Sequence, residues 1–166
     1  TWMDGKFTRD FFAMDVVDFR EALAPGVGLF TAAGFATRLA LATNTNLKGN
    51  EPPKLVDLSA RFGMVNTHAF AGGAVLTSRV EYVHRGEYQY RVWNNPLVDT
   101  VPDYDTVSLY FQYAFGKWPL SLALSVTNLF DEDGVNARFS NPFGVLQTSE
   151  EFIPPREVIG TIRYEF

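Results

Sequence analysis

The carboxyl-terminal residues constrain the fold most. Val158, Gly160, Ile162, Tyr164 and Phe166 alternate with Ile159, Thr161, Arg163 and Glu165. A period of two belongs to a β-strand, whose successive side chains point to opposite faces. One row here is apolar, the other mostly polar, and the apolar row runs to the last residue. A soluble sheet has to cover such a stripe with other protein. A membrane β-barrel has no such need, because its apolar face meets lipid and its terminal strand closes the sheet. The expected fold is therefore all-β, an antiparallel transmembrane β-barrel segment with long extracellular loops.

Composition agrees with this pattern. Of 166 residues, 46% are hydrophobic and 15% aromatic, yet mean hydropathy is −0.06. No uncharged run is long enough to cross a bilayer as a helix. Residues 26–37 come closest, and Arg38 ends them. A chain that is apolar in total but alternating in detail suits a barrel with a greasy outside and a wet inside. The net charge is −5, from 14 basic and 19 acidic residues, with no basic run. Nucleic acid is not an expected partner. Without cysteine there are no disulfides, thiolate metal sites or cysteine nucleophiles. The chain opens on Thr1 and shows no signal peptide, so a piece of a longer protein is expected.

Six strands are expected. The first is the end of a strand at 2–8, with Met3, Gly5 and Phe7 on one face. Residues 54–64 alternate with Val56, Leu58, Ala60, Phe62 and Met64 on the apolar side. Residues 74–90 place Leu76, Val80 and Tyr82 opposite Arg79, Glu81, Arg85 and Glu87. Residues 106–115 and 120–130 form a pair around the turn Gly116-Lys117-Trp118-Pro119. Their apolar rows are Val107, Leu109, Phe111, Tyr113, Phe115 and Leu120, Leu122, Leu124, Val126. The terminal strand is the sixth. Between strands, 9–53, 89–105 and 131–154 are long, while 65–73 and 116–119 are short turns. Within 9–53, a short helix at 18–23 capped by Asp18 and a helix or hairpin at 30–42 are expected. Outer-membrane barrels alternate long extracellular loops with short periplasmic turns in this way.

The segment from Leu120 to Phe166 resembles the carboxyl-terminal end of TonB-dependent outer-membrane receptors. The residues that carry the likeness are Asn128-Leu129-Phe130-Asp131, then a variable loop, then Pro154-Pro155-Arg156 and a final strand ending in Phe166. Gly49-Asn50-Glu51-Pro52-Pro53 and the stretch 82–90 resemble earlier parts of the same barrel. Asp133-Gly134 departs from the residues common there after Asn-Leu-Phe-Asp. The resemblance implies a barrel of about 22 strands with a plugged lumen. This chain would be its last quarter or so, with the plug domain absent. It implies import of a scarce nutrient such as an iron–siderophore, energised by TonB through the missing amino-terminal part. It places the protein in the outer membrane of a Gram-negative bacterium, with no cofactor and no catalysis. The alternatives are a passive or structural outer-membrane barrel and, more remotely, a soluble β-sandwich binding domain.

Candidate sites stand beside plainer readings. Tyr90, Arg91, Trp93 and Asn94 combine aromatics, a guanidinium and an amide, suited to gripping a small nutrient ligand. They suit an interfacial aromatic girdle equally well, and Tyr88 reads as girdle. Ile162, Tyr164 and Phe166 read as an assembly signal for the barrel-insertion machinery. Arg79, Glu81, Arg85 and Glu87 read first as lumen lining, with a part in a solute path as the second, compatible reading. Asp131-Glu132-Asp133-Gly134 lacks the ligand spacing of a calcium loop, and Gly26-Val27-Gly28-Leu29-Phe30-Thr31 lacks the third glycine and preceding strand of a dinucleotide loop. His68 and His84 have no second metal ligand at suitable spacing, and no catalytic arrangement stands out.

Overall fold

A computed structural model describes residues 1–13, 15, 45–140 and 148–166. The expected elements at 18–23 and 30–42, and the glycine pattern at 26–31, lie outside them. The described residues contain nine strands and no helix. Five strands form the main sheet in the order β1 (Ser59–Ala69), β2 (Val75–Arg85), β5 (Tyr104–Ala114), β6 (Leu120–Thr127) and β9 (Glu157–Tyr164). Every neighbouring pair is antiparallel. Two small hairpins complete the set. They pair β3 (Tyr88–Gln89) with β4 (Thr100–Val101) and β7 (Val135–Ser140) with β8 (Thr148–Phe152).

The main sheet is open. β1 and β9 are its two edges, so the described residues form an antiparallel all-β fold without barrel closure. Five strands stand where six were expected. Residues 2–8 do not form a regular strand. They run antiparallel to 47–58 through scattered bonds, with Met3 N–H donating to the Asp57 carbonyl (2.9 Å) and Phe7 N–H to that of Asn50 (2.9 Å). A single bridge joins Trp2 to Leu58.

Strand limits also move. The strand expected at 54–64 starts at Ser59 and continues to Ala69. Lys54 has φ +61°, a left-handed conformation that cannot sit in a strand. Residues 65–69 read as a turn because Asn66 and His68 interrupt the apolar row. Eleven consecutive cross-strand partners, Ser59↔Arg85 to Ala69↔Val75, nevertheless carry the strand through them. The strand expected over 74–90 ends at Arg85. Gly86 N–H donates to the Leu58 carbonyl (2.7 Å), and a Cβ there would lie 2.8 Å from that oxygen. This close backbone approach requires glycine and turns the chain toward β3. The long loop at 131–154 contains the β7–β8 hairpin.

Register puts every apolar row on one face. Phe62↔Tyr82, Tyr82↔Val107, Phe111↔Leu124, Leu122↔Ile162 and Val126↔Val158 are direct partners. Partners directly across an antiparallel ladder share a face. The other face carries Arg61, Arg79, Glu81, Ser108, Tyr110, Ser125 and Thr161. Both short turns, at 70–74 and 115–119, lie at one end of the meander. Gly116 packs against Gly73 there, too close for a Cβ at Gly116.

The buried core is not in the sheet. Tyr88, Val101 and Val135 form a buried cluster, with Val56 and Tyr90 packed on it. It lies among the long connections at the opposite end. Phe62, Leu122, Leu124, Val158 and Ile162, on the apolar face, are all exposed.

Candidate functional site

Three features of the sheet define what it can do. The first is the apolar face, bounded at both ends by polar or aromatic groups. At the short-turn end, rings form a chain of contacts. Phe70 lies 6.0 Å from Tyr113, Tyr113 4.8 Å from Phe115, and Phe115 5.9 Å from Trp118. Tyr164 and Phe166 meet edge-on at 5.1 Å. At the long-loop end, Tyr82 donates its hydroxyl hydrogen bond to Asp105 (2.7 Å), and His84 Nδ1 lies 2.8 Å from the same oxygen. Trp2 bridges to Leu58 at this level and is largely exposed. The strands β1, β2 and β5 have 11 residues each. At a rise of ~3.4 Å per residue and a tilt of ~45°, such strands cover about 26 Å, close to the ~25 Å apolar band of outer-membrane barrels.

The second feature is a trough of about 560 Å³ on the polar face, lined by residues including Arg61, Thr77, Arg79, Glu81, Ser108, Tyr110, Ser125 and Thr127. Glu81 bridges two arginines: Arg61 Nη2 donates to one carboxylate oxygen at 2.5 Å, and Arg79 donates to the other. Tyr110 donates to Gln112 (3.0 Å). Arg79 and Glu81 belonged to the charged stripe seen in the sequence. Arg61 joins them only through the β1–β2 register. Arg85, from the same stripe, leaves the trough: its guanidinium lies 4.7 Å over the Tyr88 ring and donates to the carbonyl and the side-chain oxygen of Asn136.

The third feature is the loop end. Of the residues singled out there, Arg91 contacts both Trp93 and Asn94, while Tyr90 packs on the Tyr88–Val101–Val135 cluster. The guanidinium of Arg91 lies 5.0 Å over the Trp93 ring. It also donates to Asp99 (2.5 Å) and Asp15 (2.7 Å). Burial opposes its charge, yet the two carboxylates outweigh this and hold its pKa above the ordinary guanidinium value. Asp99 is fully buried and also accepts from Asn95 N–H (2.8 Å). Asn94 has φ +51°. Its amide accepts from Glu51 N–H (2.5 Å) and donates to the carbonyls of Glu51 and Arg91 (both 3.1 Å). The polar groups of Arg91 and Asn94 thus order the loop itself. Trp93 Nε1 is buried without a hydrogen-bond partner among the described residues. Lys54 Nζ lies 5.9 Å over the Tyr90 ring. Tyr88, read as girdle in the sequence, is buried in the loop core and donates to the Asn136 carbonyl (3.1 Å). A ring so enclosed has no face for lipid. Ile162, Tyr164 and Phe166 are all exposed, the first two on the apolar face of the edge strand β9.

The Asn-Leu-Phe-Asp segment is a staple at the base of the last loop. Asn128 (φ +46°) and Asp131 (φ +59°) both take left-handed backbone. Asn128 accepts from Glu132 N–H (2.9 Å) and donates to the carbonyls of Glu132 (2.9 Å) and Pro154 (3.1 Å). Asp131 accepts from Arg156 N–H (2.8 Å). The two short segments that carry the resemblance therefore bind each other directly. The acidic run at 131–133 serves this turn, and among the described residues no three potential metal-ligating side chains gather.

Comparison with protein-family models, with curated proteins and with solved structures finds no match to this chain. No helix among the described residues is long and apolar enough to cross a membrane, which says nothing of crossing by strands.

Proposed function

We propose that this chain is the carboxyl-terminal part of a TonB-dependent receptor barrel in the outer membrane, serving import of a small nutrient such as an iron chelate. The observation that carries the membrane part of this reading is the inversion of burial. The sheet presents a continuous exposed apolar face, while the buried residues gather among the long connections. A contiguous apolar face of this kind marks contact with lipid or with other protein. Among the described residues no element packs on it. The bounding rings at one end, and Trp2 with the Tyr82–Asp105–His84 cluster at the other, suit two membrane interfaces. In this reading the polar face lines the lumen and the ordered long loops face outward. Tyr90 and Trp93 are the candidates to touch a ligand, with Arg91 and Asn94 holding them. The transport part rests on the resemblance of Asn128–Asp131, Pro154–Arg156 and the terminal strand.

Two experiments test it. Single cysteines introduced at Asn95 and at Lys117 are labelled in intact cells with a membrane-impermeant maleimide. Label is expected at 95 and not at 117, because 116–119 faces the periplasm. The reverse pattern overturns the topology. Separately, deletion of Phe166 from the full-length protein tests the terminal residues as an assembly signal. Burial of one phenylalanine contributes only roughly 1.5–3 kcal/mol. The deletion is therefore expected to reduce outer-membrane insertion in cells far more than refolding into lipid in vitro. Normal levels in the membrane would leave Phe166 as an interfacial anchor only.

A further inference from the structure

The main sheet bears six charged residues on its polar face: Arg61, Arg79, Arg85, Arg163, Glu81 and Glu157. Four arginines against two glutamates leave a positive balance in a chain whose net charge is −5. Two of the arginines are engaged elsewhere. Arg85 is held by Asn136, and Arg163 pairs with Glu165 at 3.1 Å. Arg61 and Arg79 remain in the trough with one carboxylate between them, that of Glu81. A guanidinium carries five N–H donors. Among the described residues, Glu81 is the only side chain bonded to either arginine. The side chains of Arg61 and Arg79 are more than half exposed, whereas that of Glu81 is largely covered. Hydroxyls of Ser108, Tyr110 and Ser125 complete the wall, and register fixes them as direct neighbours: Glu81↔Ser108, Arg79↔Tyr110 and Tyr110↔Ser125.

We propose that this trough binds small anionic solutes bearing carboxylate or phosphate groups, with Arg61 and Arg79 as the binding pair and Glu81 as an internal competitor. The inference rests on the polar face being the wet side of a membrane sheet. Its volume of about 560 Å³ falls in the ~300–1,000 Å³ range of small-molecule sites. Forked guanidiniums match the planar oxygens of carboxylate and phosphate. Glu81 keeps the arginines together when the site is empty, and an arriving anion takes the donors it does not use. Removing its charge therefore strengthens binding, the opposite of what a simple structural ion pair would do.

The test uses the full-length protein refolded in dodecylphosphocholine micelles, titrated with citrate and separately with inorganic phosphate. Arginine Nε–Hε resonances report binding, and quenching of Trp118 by a spin-labelled detergent reports insertion. Saturable shifts of Arg61 and Arg79 are expected. Glu81→Gln should tighten citrate binding by about threefold to fivefold, the scale of an exposed ion pair. Arg79→Gln should weaken it by about tenfold, and Arg79→Lys by less, since the charge is kept and the fork lost. Unchanged or weakened binding in folded Glu81→Gln overturns the competitor role and the site. Shifts caused by a polyglutamate peptide but by neither small anion would mean the trough faces an acidic protein segment, which also overturns the proposal. Insertion without anion binding rejects this site alone. Failure of Trp118 to contact detergent rejects the membrane reading, and the site falls with it.

Discussion

Leu124→Arg should destabilise the membrane-folded protein by about 2–4 kcal/mol, the cost of a guanidinium on the lipid face near mid-span. Leu124 faces Phe111 on one side and Gly160 on the other, in the middle of β6. Its neighbour Ser125 points into the polar trough beside Tyr110. Ser125→Arg should cost less than about 1 kcal/mol, because its charge stays in water, as surface changes usually do. Leu120→Arg supplies a second contrast. Leu120 is on the same face but pairs with Tyr164, at the aromatic end. There an arginine reaches the interface by extending its chain, and its cost should fall to ~0–1 kcal/mol. Urea titration of the three variants refolded in lipid vesicles measures all three costs. Equal costs at 124 and 125 would reject the lipid-facing assignment. Equal costs at 124 and 120 would indicate a face covered by protein, since depth in a bilayer then has no meaning.

Asn128→Ala should cost about 2–4 kcal/mol, although it removes only a few atoms from a turn. Asn128 is 6% exposed, and its amide satisfies one backbone N–H and two carbonyls. Glu132 and Pro154 are exposed residues, so water replaces part of what the amide supplied, and the net loss is about that of one buried group, ~1–3 kcal/mol. Alanine at a positive φ adds strain of ~1–2 kcal/mol that asparagine tolerates better. Asn128→Gly separates the two contributions: it should recover the strain and leave the hydrogen-bond loss. Asn128→Asp keeps the acceptor for Glu132 N–H but sets a carboxylate against two carbonyls, so it should be at least as harmful as alanine. The effect should be local as well as global. Hydrogen exchange at Glu132 and Arg156, on the two arms of the staple, should accelerate in Asn128→Ala. Protection unchanged at both amides would mean that the Asn128 side chain does not hold the loop base.

These two sites differ in how much the sequence revealed. The rows containing Leu124 and Ser125 were readable directly, because a strand's period of two is a local property and both flanking strands keep it without a break. The same holds for the turn at 116–119, the closing strand and the alternation of long and short connections. The sequence also assembled Tyr90, Arg91, Trp93 and Asn94, which lie within five consecutive residues. Where pairing overrides the local pattern, it was silent. Asn66 and His68 break the apolar row of β1, yet the backbone of β2 carries the strand past them. Gly86 ends β2 because the Leu58 carbonyl lies against it, a contact between segments far apart in the chain.

Tertiary structure alone decided four matters. It placed Arg61 beside Glu81, since only the β1–β2 register brings them to one face. It joined Arg91 to Asp15 and Asp99 and put Tyr88 in a core instead of at an interface. It set Asn128 against Pro154 across a long loop. The physical reason is common to all of them. Which face a strand side chain occupies follows from its neighbours in sequence, whereas the partner it meets there depends on register and loop closure, which no local pattern encodes.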